Sequence, residues 1–199
     1  EWNVLNKTAE AIKDLERALH FEDDSPAVLR ELSYSYFLSG ITNEAYDTAA
    51  RGIKHAQPGA ERAGLRMVRC EISRAKRDYQ KALEDVEKAI TEHPDAAEWY
   101  LTRSALQQQL GLKKERIKGL DEGFKQTGSG LVEAEWIDAL IDGGKGETAL
   151  AKIEAELQDA RVQSSWLIRR GKARLALKQK EEAKADLEAA LAELNQRIA

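Results

Sequence analysis

Small and apolar positions return along this chain with a period of about 34 residues. A small residue recurs at Ala11, Ala45, Ala82, Ala149 and Ala183, and Arg116 holds the matching place between them; the successive spacings are 34, 37, 34, 33 and 34 residues. About one turn later an apolar residue follows at Leu15, Ala49, Val86, Leu120, Ile153 and Leu187. Four residues further stand Leu19, Ile53, Ile90, Phe124, Leu157 and Leu191. Steps of three and four keep such residues on one helix face. A fixed period of this length marks a stacked array, in which each unit buries its apolar face only against its neighbours.

Each unit reads as two antiparallel helices, A and B. In the second, Pro26 opens helix A, Leu29, Leu32, Tyr36 and Phe37 form its stripe, and Gly40 closes it. Gln57-Pro58-Gly59 ends helix B. The third unit pairs a helix near 63–76 with one near 79–92, and Tyr79, Ala82, Leu83, Val86, Ala89 and Ile90 make the apolar stripe of the latter. His93-Pro94-Asp95 stops it. Gly111 and Gly143-Gly144 mark the turns of units four and five, and Ser164 and Ser165 are placed to cap the first helix of unit six. The first unit keeps its helix B, Thr8 to Phe21, and only the tail of helix A at Glu1 to Leu5. The expectation is a single all-α array divided at 1–25, 26–62, 63–96, 97–129, 130–163 and 164–199. Extra residues near Gln57–Arg62 and the Gln126–Gly130 stretch read as adjustable joints. The end units, each with one uncovered side, are expected to be the least protected. In the last helix, Leu187, Leu191, Leu194 and Ile198 form a stripe with no following unit.

Composition narrows the picture further. Charged residues make up 33% and hydrophobic residues 42%, with three prolines and a net charge of −4. Helix formers dominate. The acidic balance argues against nucleic acid and against an anionic membrane surface as the main partner. No run reaches the roughly 18 apolar residues of a membrane helix, so no membrane insertion is expected. A soluble protein of the cytoplasm or periplasm fits, with the compartment open. Cys70 is the one cysteine, which excludes an internal disulfide and a cysteine-rich metal site.

The repeated residues resemble the tetratricopeptide repeat (TPR) family. Leu29, Leu32, Ser33, Tyr36, Gly40, Ala45, Ala49, Gly52 and Ile53 carry the likeness in unit two. Cys70, Tyr79, Ala82, Val86, Ala89, Ile90 and Pro94 carry it in unit three, and Leu167, Gly171, Ala183, Leu187, Ala190 and Leu191 in unit six. It extends over essentially the whole chain, about five and a half units. Three positions depart from it: Arg116 stands where a small residue is usual, Gln107 where an aromatic is, and Glu156 where alanine is. Units four and five are therefore expected to pack more loosely, and Arg116→Ala to be neutral or stabilising. The resemblance implies an α-solenoid, a right-handed superhelix whose concave wall is made of A helices and takes a peptide or protein segment. That places Arg30, Tyr34, Phe37, Met67, Glu71, Arg74, Leu101, Ala105 and Gln108 on the groove face. The function it implies is a non-enzymatic interaction scaffold, with no cofactor. The rival reading is a structural spacer or oligomerisation segment, self-associating through its terminal helices.

Other candidate chemistry is thin. The carboxylate clamp of one TPR subclass needs lysine, arginine and asparagine, yet Arg30, Tyr34, Met67, Glu71, Leu101 and Ala105 hold those positions. Asp142-Gly-Gly-Lys-Gly-Glu147 lacks the P-loop spacing and lies between helices. Arg69, Arg103 and Arg170 recur at one place in helix A; they form either a ladder for an acidic ligand or internal pairs with carboxylates. Arg62, Arg66, Arg69, Lys76 and Arg77 share a side that is either an acidic partner's site or a solvated face. His20, His55 and His93 end B helices, where they complement the dipole and lack the clustering a metal needs. Trp2, Trp99, Trp136 and Trp166 fall near A helices and read as packing between units.

Overall fold

The computed structural model describes residues 2–21 and 23–198, with side chains from residue 7 to 197. Among the described residues all regular structure is α-helical. The eleven helices are α1 (Trp2–Ala18), α2 (Pro26–Leu38), α3 (Thr42–His55), α4 (Ala60–Ala75), α5 (Tyr79–Glu92), α6 (Ala97–Gln109), α7 (Lys113–Thr127), α8 (Gly130–Asp142), α9 (Gly146–Asp159), α10 (Ser164–Ala176) and α11 (Lys180–Ile198). They gather into two compact units, residues 1–111 and 112–199. In the first, α2 packs on α1 and α3, α4 on α2, α3 and α5, and α6 on α5. In the second, α8 packs on α7 and α9, while α10 rests on both α8 and α9 and pairs with α11. Within each unit the short turns make successive helices antiparallel.

The recurring small residue is buried where the helices pack. Ala45, Ala82, Ala149 and Ala183 are all fully buried. Ala49, Val86, Leu120 and Ile153 are buried one turn on. Glycine tightens the same contacts: a Cβ on Gly52 would stand 2.7 Å from Leu65 Cδ2 and 3.2 Å from Leu29 Cβ. A Cβ on Gly171 would stand 3.0 Å from Leu187 Cγ. In the second unit Ile137, Leu140, Ala149, Ile153 and Ala173 form the centre, ringed by Ile117, Trp136, Ile141, Leu150, Leu157 and Trp166.

A second repeating device ends each A helix. Gly40, Arg77, Gly111, Gly144 and Lys178 all adopt positive φ, between 60° and 77°. In α2 the Gly40 N–H bonds to the Phe37 carbonyl and the Ile41 N–H to the Tyr36 carbonyl, which folds the chain directly into α3. The same pair of bonds recurs after α4, α8 and α10. Glycine serves this conformation without cost; arginine and lysine do not.

Several expectations need correction. Residues 2–5 are not the tail of a separate helix A, because α1 runs unbroken from Trp2. The side chains of Trp2, Leu5 and Ile198 lie outside the described residues. Ser164 is the first residue of α10 and buried; Gln163 stands at the cap, its N–H held by Glu193. Both stretches expected as joints have a defined backbone conformation. Gly59, at φ 124°, starts α4 at Ala60, and the extra residues lengthen that helix. Gly128, at φ 61°, closes α7 two residues before α8 opens. The division into compact units falls instead at the Gly111 turn.

Arg116 also overturns its expectation. It is only 6% exposed, yet it is matched: its guanidinium donates to Glu135 at 2.8 Å and Asp142 at 3.0 Å on α8. Burial pulls its pKa down, but its hydrogen bonds to Glu135 and Asp142 outweigh that and hold it above the ordinary guanidinium value. Arg116→Ala is therefore expected to cost about 2 kcal/mol in urea unfolding, since it empties a packed site and removes two charge-assisted hydrogen bonds. Lys178→Gly is expected to raise stability by roughly 0.5–1 kcal/mol by removing the Cβ penalty at positive φ, with a matching rise in the melt.

Candidate functional site

The nine groove positions lie on α2, α4 and α6, all in the first compact unit. Helix α2 buries Leu29, Leu32 and Ser33, and the Ser33 hydroxyl donates to the Ala45 carbonyl of α3 at 2.6 Å. That leaves the opposite stripe for solvent. Tyr34 is 45% exposed and Phe37 half-buried, with ring centroids 6.5 Å apart and planes tilted by 47°. They form one aromatic surface, one turn apart. Arg30 binds its neighbour Glu31 at 2.9 Å, and its side chain lies beside Gly64 of α4. Met67 and Leu101 are half-buried, and Ala105 and Gln108 are exposed. Glu71 forms an ion pair with Arg74.

Arg74, Ala105 and Gln108 come together around an open depression of about 290 Å³, completed by Tyr79, Leu106 and Gln109. Tyr79 and Gln109 were missed by pattern reading, because one lies at the start of a B helix and the other one residue off the groove register. Leu38, 54% exposed, extends the Tyr34 patch and was missed for the same reason. The reading also stopped at unit four. Carrying the register forward reaches Ala134, Asp138 and Ile141 of α8 and Ile168, Lys172 and Leu175 of α10. There Asp138 is bound by Arg169 at 3.0 Å, and Leu175 is half exposed.

The basic side of α4 is turned inward to the protein's own carboxylates. Arg62 and Arg66 donate to Glu92 at 3.0 and 3.1 Å, and Arg69 grips Asp85 through two bonds of 2.8 and 2.6 Å. Lys76 donates to Asn43 at 2.7 Å, and Arg69 and Lys76 both lie over the Tyr46 ring. Burial raises the Glu92 carboxyl, but the bonds from Arg66 and Arg62 outweigh it and hold it below the usual range. The recurring helix A arginine behaves alike in the second unit, where Arg170 binds Asp186 at 3.0 and 2.6 Å and Arg174 joins them at 2.8 Å. Arg69 and Arg170 thus meet an aspartate sixteen residues on. In unit five that spacing joins Trp136 to Lys152, whose ammonium sits 3.8 Å from the ring centroid. Internal pairing, and not a ladder for an acidic ligand, describes these two arginines. The Asp142–Glu147 segment is a helix–helix turn.

Trp99 is buried edge-on to His93 at 5.5 Å, and Trp136 stands 6.1 Å from Phe124. His55 ends α3 near Asp24 at 3.5 Å. Among the described residues no group of three or more His, Cys, Asp or Glu is arranged to hold a metal ion. No described helix is long and apolar enough to cross a membrane. Cys70 is fully buried, and burial pushes its thiol up to about 12.

No family model matches the sequence, and no curated protein does. Solved structures do match in fold. YrrB, a TPR protein with an unusual peptide-binding site, aligns over 90% of this chain and 91% of its own at 12% identity and a TM-score of 0.70. The C-terminal part of a TPR repeat-containing protein from Cytophaga hutchinsonii aligns over 96% of this chain and 76% of its own, at 14% identity and 0.78. A putative kinesin light chain from Podosopora anserina with TPR-like repeats aligns over 87% and 98%, at 16% and 0.69. The fold is of the tetratricopeptide-repeat type, an all-α array of helix–turn–helix units.

The Cys70 environment makes a direct prediction. A neutral thiol is favoured in the folded state and a thiolate is easier to form in the unfolded one. Stability is therefore unaffected below the ordinary thiol pKa near 8.5 and falls as pH rises from there toward 12. At pH 8 a disulfide exchange reagent is expected to label Cys70 only at the rate of unfolding, and prompt labelling of the native chain would contradict its burial.

Proposed function

We propose that this chain is a non-enzymatic protein-interaction scaffold whose α2–α4–α6 wall takes an extended segment of a partner protein. The observations that support the reading are the exposed Tyr34 and Leu38 on α2, with Phe37 half-buried beside Tyr34, and the open Arg74–Gln108 depression. Aromatic residues and arginine are the side chains that most often anchor interfaces. The charges on the wall are matched in pairs, Arg30 with Glu31 and Arg74 with Glu71. Such a wall selects by apolar side chains and by hydrogen bonds to the peptide, with Gln108 and Gln109 as adaptable donors and acceptors. It does not favour a bare acidic tail. The division of the array into a truncated first unit and five hairpin units, with boundaries near 26, 63, 97, 130 and 164, belongs to the same proposal.

The test begins with a partner captured from native extract and mapped to a peptide by truncation. Tyr34→Ala combined with Arg74→Ala is expected to weaken that peptide by roughly 2 kcal/mol in calorimetry, with little change in melting temperature. Wild-type affinity in the double variant would move the site off this wall.

A further inference from the structure

Of Arg62, Arg66, Arg69, Lys76 and Arg77, the protein's own carboxylates match the first three. Lys76 donates to neutral Asn43, and Arg77, exposed, makes no ion pair among the described residues. At this place Tyr46 of α3, Ser73 of α4, Lys76 and Asp78 of the turn, and Lys81 of α5 line an open depression of about 310 Å³. The repeat register shows why it is open. Ser73 stands where the other A helices carry Tyr36, Gln107, Leu140 and Arg174. Two of those longer side chains reach carboxylates: Tyr36 donates to Glu16 at 2.6 Å, and Arg174 to Asp186 at 2.8 Å. Ser73 reaches none. It is 2% exposed, and its hydroxyl has no hydrogen-bond partner among the described residues. Tyr46 likewise stands where other B helices carry Ile12, Leu83, Ile117 and Leu150. Apolar packing of the array calls for neither hydroxyl.

We propose that this depression binds a phosphorylated side chain of a partner protein, at a site separate from the α2–α4–α6 wall. Its lining offers two ammonium groups, Lys76 and Lys81, and two hydroxyls, Tyr46 and Ser73, from three different helices and the turn between two of them. A phosphoryl group brings three strongly accepting oxygens and a charge of about −1.5 to −2. A carboxylate fits less well, because the planar fork that grips it is a guanidinium. The guanidinium at hand, Arg69, is committed to Asp85 through two bonds. The local charge has the right sign. Lys76, Arg77 and Lys81 outnumber Asp78 on the rim and Glu84 one turn along α5. Asp78 is itself occupied: it caps α5 by accepting from the Lys81 N–H at 3.3 Å and pairs with the Lys81 ammonium at 2.8 Å. It sets the upper limit on affinity, and its charge is the one feature of the lining that opposes an anion.

The test is an amide-shift titration of the isotope-labelled full chain at constant ionic strength. The probes are a short blocked peptide with one phosphoserine and alanine elsewhere, the same peptide with serine or glutamate in its place, and inorganic phosphate. Saturable shifts are expected at the start of α3, the end of α4 and the start of α5. The phosphopeptide is expected to bind at least tenfold tighter than the glutamate peptide and at least threefold tighter than inorganic phosphate, and the serine peptide not to bind. Lys76→Gln is expected to weaken the phosphopeptide at least fivefold. Ser73→Ala is expected to weaken it at least threefold while the melting temperature stays level or rises, because the free chain loses only an unpaired buried hydroxyl. Asp78→Asn keeps a good helix cap and removes the opposing charge, so binding is expected to tighten at least threefold. Tyr34→Ala is expected to leave it unchanged, which keeps a failure of this site distinct from a failure of the α2–α4–α6 wall. Shifts scattered over the surface without saturation would overturn the proposal. So would equal binding of the phosphoserine and glutamate peptides, inorganic phosphate binding as tightly as the phosphopeptide, or insensitivity to Ser73→Ala and Lys76→Gln.

Discussion

The close approach of helices at a column of small buried residues is the constraint on which the rest depends. Ala45, Ala82, Ala149 and Ala183 leave no room for a larger side chain, and Gly52 and Gly171 let neighbouring leucines touch backbone. No hairpin of some thirty residues buries enough apolar surface to fold alone. The column lets each hairpin use its neighbour as core. It also sets where the groove face points. Once Leu29 and Leu32 are committed to α3, Tyr34 and Phe37 are left on the other side of α2.

Charge follows from the same geometry. Helix A and helix B present facing positions sixteen residues apart, and these are filled as pairs: Arg69 with Asp85, Arg170 with Asp186, Trp136 with Lys152. The two arginine pairs are largely shielded from water, so their guanidinium groups are held by internal carboxylates and are not offered outward. A chain with 33% charged residues thereby keeps, on the proposed wall, charges that cancel locally. Selectivity on such a wall rests on shape and apolar contact.

The helices were legible because periodicity depends on burial alone, and burial repeats. Gly40, Gly111 and Gly144 announced their turns, and Pro94 announced the end of α5. Arg77 and Lys178 did not, since nothing in a lysine or arginine signals positive φ; only their place in the repeat does. Arg116 misled for a different reason. Its burial depends on Glu135 and Asp142, which are 19 and 26 residues away, and a packing pattern carries no information about such partners. The proposed groove positions follow from the register alone. The depression formed by Arg74, Gln108 and Tyr79 does not, because it arises from how the ends of α4 and α6 and the start of α5 meet.

The column is tested most directly at Ala82, by measuring the unfolding free energy of Ala82→Arg against that of Glu87→Arg on the exposed side of the same helix. The first places a long cation where two helices touch, and a loss of about 4 kcal/mol or more is expected, with α4 and α5 losing amide protection together. The second is expected to stay within about 0.5 kcal/mol of the parent. Equal effects of the two substitutions would show that the helices do not meet at this residue, and the groove assignment built on that register would fall with it.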